Sequence, residues 1–111
     1  RYAYPNQTLR LCLYVYNHMG EPVYWKVSYK LGDNTTLPTT NTTSPRPVIA
    51  EWRGVLDHGL NSTRIIEVTV LEPPANATRA ALIFELYTYN TLENRWEYTG
   101  RWVHLYITVE R

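Results

Sequence analysis

The sequence predicts an all-β domain in which two antiparallel sheets pack face to face. Apolar and polar residues alternate with a period of two in several short segments. Turn-forming residues separate these segments about every ten positions, the spacing typical of β-sandwiches. No segment long enough for a stable helix carries an apolar stripe of 3.6-residue period.

The alternation is clearest in three segments, Leu9 to Val15, Val23 to Leu31 and Val103 to Val109. In each, the odd-numbered positions carry mostly Leu, Val and Ile and are predicted to face the core. The intervening segment His18 to Pro22 contains Gly and Pro, so we expect a turn that joins the first two strands as a hairpin.

Four further strands are predicted, over Ile49 to Leu56, Ile65 to Leu71, Ala80 to Tyr89 and, as a short strand, Trp96 to Tyr98. Asp57-His58-Gly59 and the segment Glu72 to Asn76 break regular structure between them. Residues 1–111 are therefore predicted to form a single immunoglobulin-like antiparallel β-sandwich of about seven strands. Within it, the Thr-, Asn- and Pro-rich segment Gly32 to Pro47 is predicted to be a long exposed loop.

Composition narrows the classes of function. Apolar residues make up 44% and charged residues 19%, which favours a packed globule over a disordered chain. The net charge of +1 is spread along the sequence, so nucleic acid is not an expected partner. The single Cys12 excludes an internal disulfide; we interpret it as a small apolar residue, with a reactive or intermolecular thiol as the alternative.

The sequence also contains no apolar run long enough to span a membrane and no signal peptide. We expect Arg1 to follow a processed or excluded segment.

Five of the eight asparagines open an Asn-x-Ser/Thr glycosylation triplet: Asn6, Asn34, Asn41, Asn61 and Asn76. With 17 Ser and Thr in 111 residues, chance would give only about one such triplet. All five lie in predicted turns or strand ends, where a glycan could reach solvent. The triplets therefore predict an extracellular or cell-surface N-glycoprotein, although a Thr-rich β protein could also collect them without being glycosylated.

Aromatic residues are strongly biased toward amphipathic rings, with ten Tyr and four Trp against one Phe. Five of them fall on the outward phase of predicted strands and form a possible contact face: Tyr14, Tyr16, Tyr24, Trp102 and Tyr106. Such rings can pack across strands, contact another protein or stack on sugar rings.

No catalytic or cofactor-binding arrangement can be recognised. His18, His58 and His104 lack the neighbouring ligands of a metal site. Glu93 and Glu97 are more typical of a solvated rim than of an acid–base pair. We therefore expect no enzyme activity, cofactor or metal.

Three stretches resemble the extracytoplasmic β domain of the archaeal family called domain of unknown function 1616. They are the run Tyr14 to Tyr24, the turn Leu56 to Gly59 and the ending Tyr98 to Val109. The resemblance implies an archaeal cell-surface domain with an immunoglobulin-like sandwich and transfers no catalytic residue. The chain departs from the family in lacking transmembrane helices and in its Gly32 to Pro47 loop, which looks like an insertion.

Two hypotheses of function follow. In the first, the chain is a glycosylated structural subunit of a filament or surface layer that self-associates, or binds other surface proteins, through sheet edges and Tyr/Trp faces. The extended, aromatic segment Arg1 to Pro5 would dock on a neighbour. In the alternative, the chain is a carbohydrate- or protein-binding module of a membrane-anchored archaeal surface protein.

Overall fold

A computed structural model describes residues 2–17, 20–71 and 79–109. Seven strands are found there: β1 (Tyr2–Ala3), β2 (Gln7–Tyr16), β3 (Val23–Gly32), β4 (Val48–Leu56), β5 (Asn61–Val70), β6 (Arg79–Asn90) and β7 (Arg95–Val109). These described residues include no helix with the length and hydropathy needed to span a bilayer.

The strands form two sheets that enclose one core. One sheet has the order β1-β7-β6-β3-β4 and the other consists of β2 and β5. All pairs are antiparallel except β1 with β7. This order matches strands B and E facing strands G, F, C and C′ of an immunoglobulin-like sandwich. The predicted fold class is confirmed.

The core lies between the sheets and follows the predicted alternation. Buried side chains come from the odd positions of β2 and β3, with matching positions of β5, β6 and β7: Leu9, Val15, Trp25, Val27, Tyr29, Leu31, Ile66, Val68, Val70, Leu82, Phe84, Ile107 and Val109. Cys12 occupies the opposite phase of β2 and is exposed. The period of two therefore determined correctly which face of β2, β3 and β7 is inward, although Val103 on that face of β7 is 65% exposed.

The predicted hairpin between β2 and β3 is wrong. β2 pairs with β5, whereas β3 pairs with β4 and β6, so the two strands belong to different sheets. The connection crosses from one sheet to the other. Its described part is held by Asn17, whose Nδ2 donates to the carbonyl oxygens of Glu21 and Leu56, both at 2.8 Å. His18 and Met19 lie outside the described residues.

The short strand predicted at Trp96 to Tyr98 is not separate, because it forms the first part of the 15-residue strand β7. The register of β6 against β7 shifts between Glu85 and Tyr87, and Gly100 on β7 has a φ of 78°. These are the features of a β-bulge, which interrupts pairing without ending the strand. The sandwich thus has six long strands and the two-residue β1.

The loop after β3 begins later than predicted, because Gly32 is the last residue of that strand. Much of the loop is exposed, but Pro38 and Ser44 are buried. The Arg46 Nε donates to the Leu31 carbonyl at 2.9 Å. The loop therefore lies against the outer face of the five-stranded sheet and covers part of it.

Candidate functional site

The described glycosylation triplets lie at the surface. Asn6 has a φ of 66° in the turn before β2, Asn34 and Asn41 lie in the loop after β3, and Asn61 is the first residue of β5. All four are exposed. Each could carry a glycan without any change in the core. Asn76 lies outside the described residues.

Asn17, which opens no triplet, is in contrast only 3% exposed. Exposure therefore separates these triplet asparagines from an asparagine that holds the fold together.

The two-stranded sheet is too narrow to cover the five-stranded one. In an immunoglobulin-like sandwich a strand A lies beside B, but no strand in the described part of this chain pairs with the second edge of β2. The inner face of β7 is therefore partly uncovered. Val103, whose partner Phe84 belongs to the core, is 65% exposed.

A groove runs along this gap between β2 and β7. It contains two adjoining cavities of about 440 and 230 Å³. Both cavities are lined by Val15, Leu86 and Arg101; Trp25 lines the larger cavity and Val103 the smaller. We call this feature the β2–β7 groove. Its walls are mainly apolar, with charge from Arg101 in both cavities and from Glu97 in the larger one.

The five residues of the predicted contact face are divided between the two sheets. Tyr14 and Tyr16 lie on the outer phase of β2, whereas Tyr24, Trp102 and Tyr106 lie on the outer phase of β3 and β7. Tyr14, Tyr16 and Trp102 nevertheless line the smaller cavity of the β2–β7 groove together. The alternation gave the correct phase but could not assign the strands to sheets.

One group of rings surrounds Trp96, at the start of β7. The ring centroids of Tyr24 and Tyr89 lie 4.7 and 5.2 Å from the Trp96 ring. Lys26 Nζ and the Arg53 guanidinium carbon lie 4.9 and 5.3 Å from its centroid. Both cations also contact the Glu51 carboxylate, so the group is an internally satisfied cation–π cluster.

A second group forms a row along the outer face of β7. The ring centroids of Trp102 and His104 are 5.3 Å apart, and those of His104 and Tyr106 are 4.9 Å apart. The Arg79 guanidinium carbon lies 4.1 Å from the Tyr106 centroid. We call these residues the β7 ring row. Sequence reasoning missed His104 as a member, although its spacing of two from both aromatic neighbours was the signal.

A buried ion pair lies beneath the loop after β3. Lys30 Nζ is 2.7 Å from Glu85 Oε1, with the two side chains 6% and 0% exposed. The Ser44 amide donates to Glu85 Oε2 at 2.6 Å, and Lys30 Nζ donates to the Ser44 carbonyl at 2.8 Å. The sequence placed Lys30 on the solvent-facing phase of β3. Ser44 in the loop and the Tyr87 hydroxyl, which donates to Glu85 Oε1 at 3.5 Å, both contact the pair.

Several tyrosines have a raised pKa. Burial raises the pKa of Tyr29 to about 12, and burial followed by the negative charge of Glu85 raises the pKa of Tyr87 to about 12. The pKa of Tyr98 is also raised, mainly by burial. Hydrogen bonds from Thr35 hold the pKa of Asp33 below its usual range. The raised values keep these phenols neutral, so they serve as packing and hydrogen-bonding groups.

The residues considered for catalysis have other contacts. His58 Nδ1 accepts from the Gly20 amide at 3.0 Å. Glu93 and Glu97 both contact Arg95 Nη2, at 2.7 and 3.6 Å. Within residues 2–17, 20–71 and 79–109, no three His, Cys, Asp or Glu side chains are grouped so that they could hold a metal ion. His18 lies outside the described residues.

Comparison with family models, curated proteins and solved structures finds no match to this chain. The resemblance to domain of unknown function 1616 therefore stays a prediction from short motifs.

Proposed function

We propose that this chain is an extracellular, N-glycosylated structural protein that assembles with further copies, or with other surface proteins, into a filament or surface layer. The observation that carries the proposal is the narrow β2–β5 sheet: among the residues that the structure describes, no strand covers the second edge of β2 or the β2–β7 groove. Unpaired edges template association with other chains unless they are covered. Assembly is one way to cover them.

The exposed triplets support the extracellular part of the proposal. Glycans at Asn6, Asn34, Asn41 and Asn61 would project from a turn, a loop and the start of strand β5. Bulky solubilising groups at these places would limit association to the remaining surfaces.

The experiment is intact-mass and glycopeptide spectrometry of protein from its native source, with electron microscopy of the same material. We expect hexose-containing additions on several of the triplet asparagines and ordered assemblies. A bare mass would overturn the extracellular assignment. Material that stays monomeric at every concentration would overturn the structural role.

The β7 ring row favours a second candidate, a carbohydrate-binding module. Rings at Trp102, His104 and Tyr106 follow one strand on one face, as stacking on a sugar chain requires. We expect a glycan array to give a ligand whose binding is lost in Trp102→Ala and kept in Tyr14→Ala, a ring on the opposite sheet. An array without any ligand would remove this candidate.

A further inference from the structure

The second edge of strand β4 is open. β4 pairs with β3 on one side, and no strand among the described residues pairs with it on the other. The structure describes residues 20–71 without a gap, and this range includes the whole of β4 and the segments that enter and leave it. The open edge therefore belongs to the middle of the chain. Its backbone N–H and C=O groups that point away from β3 are available to another strand.

Opposite charges lie two positions apart along this edge. Glu51 and Arg53 share the outer face of β4, where Arg53 Nη2 is 3.2 Å from Glu51 Oε2 and the two side chains are 33% and 50% exposed. Charged residues on an edge strand usually prevent pairing with another edge. A strand that carries one charge of each sign differs, because it has a register in which two copies attract each other.

Two antiparallel β4 strands can pair about a twofold axis in several registers. An axis at Glu51 sets this carboxylate opposite its own copy, and an axis at Arg53 does the same with the guanidinium, so both registers are repulsive. Only an axis at Trp52 sets Glu51 of each copy opposite Arg53 of the other. The four charged side chains then alternate in sign around the axis, on one face of the combined sheet.

The other residues in this register are compatible with a close approach of the two strands. Ala50 of each copy stands opposite Gly54 of the other, so the two smallest residues of β4 flank the axis. Trp52, which is only partly buried against the core, lies opposite its own copy and gains cover there. The added pairing has defined limits, since Ile49 is an extra residue at the shift in the β3–β4 register and the strand ends at Leu56.

We propose that the second edge of β4 pairs antiparallel with the same edge of a second copy of this chain, in the register centred on Trp52. The two five-stranded sheets then become one continuous sheet. The inference rests on the proposed function and names one contact of the assembly. Because the contact is symmetric it closes a dimer, so a filament or layer requires a further contact elsewhere on the surface.

The first test reverses one charge at a time in the full chain. Glu51→Lys makes both charges of the edge positive and Arg53→Glu makes both negative, so each variant repels its own copy at two symmetric places. In sedimentation at increasing concentration, each variant alone should self-associate about tenfold or more weakly than the wild type. Mixed in equal amounts, the two variants should associate like the wild type, because a positive edge then faces a negative one.

The matched controls are Glu93→Lys and Arg95→Glu. Glu93 and Arg95 are also oppositely charged residues two positions apart, with Arg95 Nη2 2.7 Å from Glu93 Oε2 and side chains 56% and 63% exposed, but they lie where β6 turns into β7. Both control variants should self-associate like the wild type, alone and mixed. Circular dichroism checks that all four variants are folded. Variants that merely lose stability would not be rescued by mixing.

Amide exchange of the unmodified chain provides a second test, which needs no variant. Raising the protein concentration should slow exchange of those amides in residues 50–55 that point away from β3, because they donate to the second copy. Amides in the turn between β6 and β7 should exchange at an unchanged rate. Nuclear magnetic resonance resolves the two groups.

The outcomes separate the two proposals. A wild type that stays monomeric at every concentration overturns both. If the wild type assembles, three results overturn the β4 contact: single variants that associate like the wild type, a mixture that does not restore association, or exchange at residues 50–55 that is independent of concentration. Assembly through other surfaces, and with it the proposed function, would then stand.

Discussion

The buried ion pair between Lys30 and Glu85 is expected to dominate the response of the fold to mutation. The perturbation is Glu85→Gln, which keeps the size of the side chain and removes its charge. Its matched control is Glu93→Gln, the same chemical change. Glu85 and Glu93 each contact a cation at 2.7 Å, but the Glu93 and Arg95 side chains are 56% and 63% exposed.

The two variants should differ in the free energy of unfolding because of burial, since the two contact distances are equal. Glutamine at position 85 would leave the Lys30 ammonium, 6% exposed, without a counter-charge. Removing one partner of a buried pair costs about 3–5 kcal/mol, because the remaining charge stays desolvated. An exposed pair contributes about 0–1 kcal/mol, because water screens it. We therefore expect the free energy of unfolding to fall several times more in Glu85→Gln than in Glu93→Gln.

Urea denaturation of both variants gives the two free energies, provided the slopes with denaturant agree. The double variant Lys30→Met/Glu85→Gln completes a cycle and should be less destabilised than the sum of its single changes, because it leaves no buried charge. Amide exchange at Ser44 should accelerate in Glu85→Gln, since its acceptor is weakened. Equal losses for the Glu85 and Glu93 variants would refute the reasoning.

Two further predictions concern the bulge and the tyrosines. Gly100→Ala should destabilise the fold more than Gly59→Ala. Both glycines have a positive φ, 78° and 77°, so both substitutions strain the backbone. Of the two, only Gly100 has a close neighbour, because an added Cβ would lie 2.6 Å from the Thr40 carbonyl oxygen. Equal unfolding free energies in urea would contradict this. In alkali, Tyr29 and Tyr87 should ionise near pH 12. Because their folded pKa lies above the ordinary 10.0, the stability they contribute is complete below pH 10 and is lost as the pH rises through 12. An ultraviolet titration in which every tyrosine of the folded protein ionises together near 10 would contradict it.

The sequence predicted the faces of the strands well and their neighbours poorly. Alternation reports only whether a side chain is inward, and it placed Leu9 and Val15 in the core correctly. Pairing between strands depends on contacts distant in sequence, so the short connection after β2 was wrongly interpreted as a hairpin. Likewise, a glycine at position 100 of the sequence is compatible with a turn or with a bulge. Only the pairing of β7 with its partner strand shows which of the two it forms.

For the candidate sites, too, local features could be predicted from the sequence, whereas features that depend on distant contacts could not. Asn61 and Asn34 could be placed at the surface from local turn signals alone, and the structure has both exposed. The β2–β7 groove could not be predicted, because it depends on which strands pair with β2 and β7, and no local residue pattern reports that pairing. Burial of Lys30 was equally hidden, since its cover, Ser44, lies 14 residues away in a loop that composition indicated to be exposed.

The outer and inner faces of the five-stranded sheet differ in how far the chain itself covers them. On its outer face, the loop after β3 supplies Ser44 to a buried charge pair and the Thr39 carbonyl to the Tyr98 hydroxyl, so this part is closed by the chain itself. On its inner face, the two-strand sheet ends before β7, and Val103 stays exposed beside the edge of β2 with which no strand in the described ranges pairs. The loop thus supplies partners to a buried pair of charges that would be costly to bury alone, whereas the apolar side chain of Val103 on the inner face stays exposed to solvent.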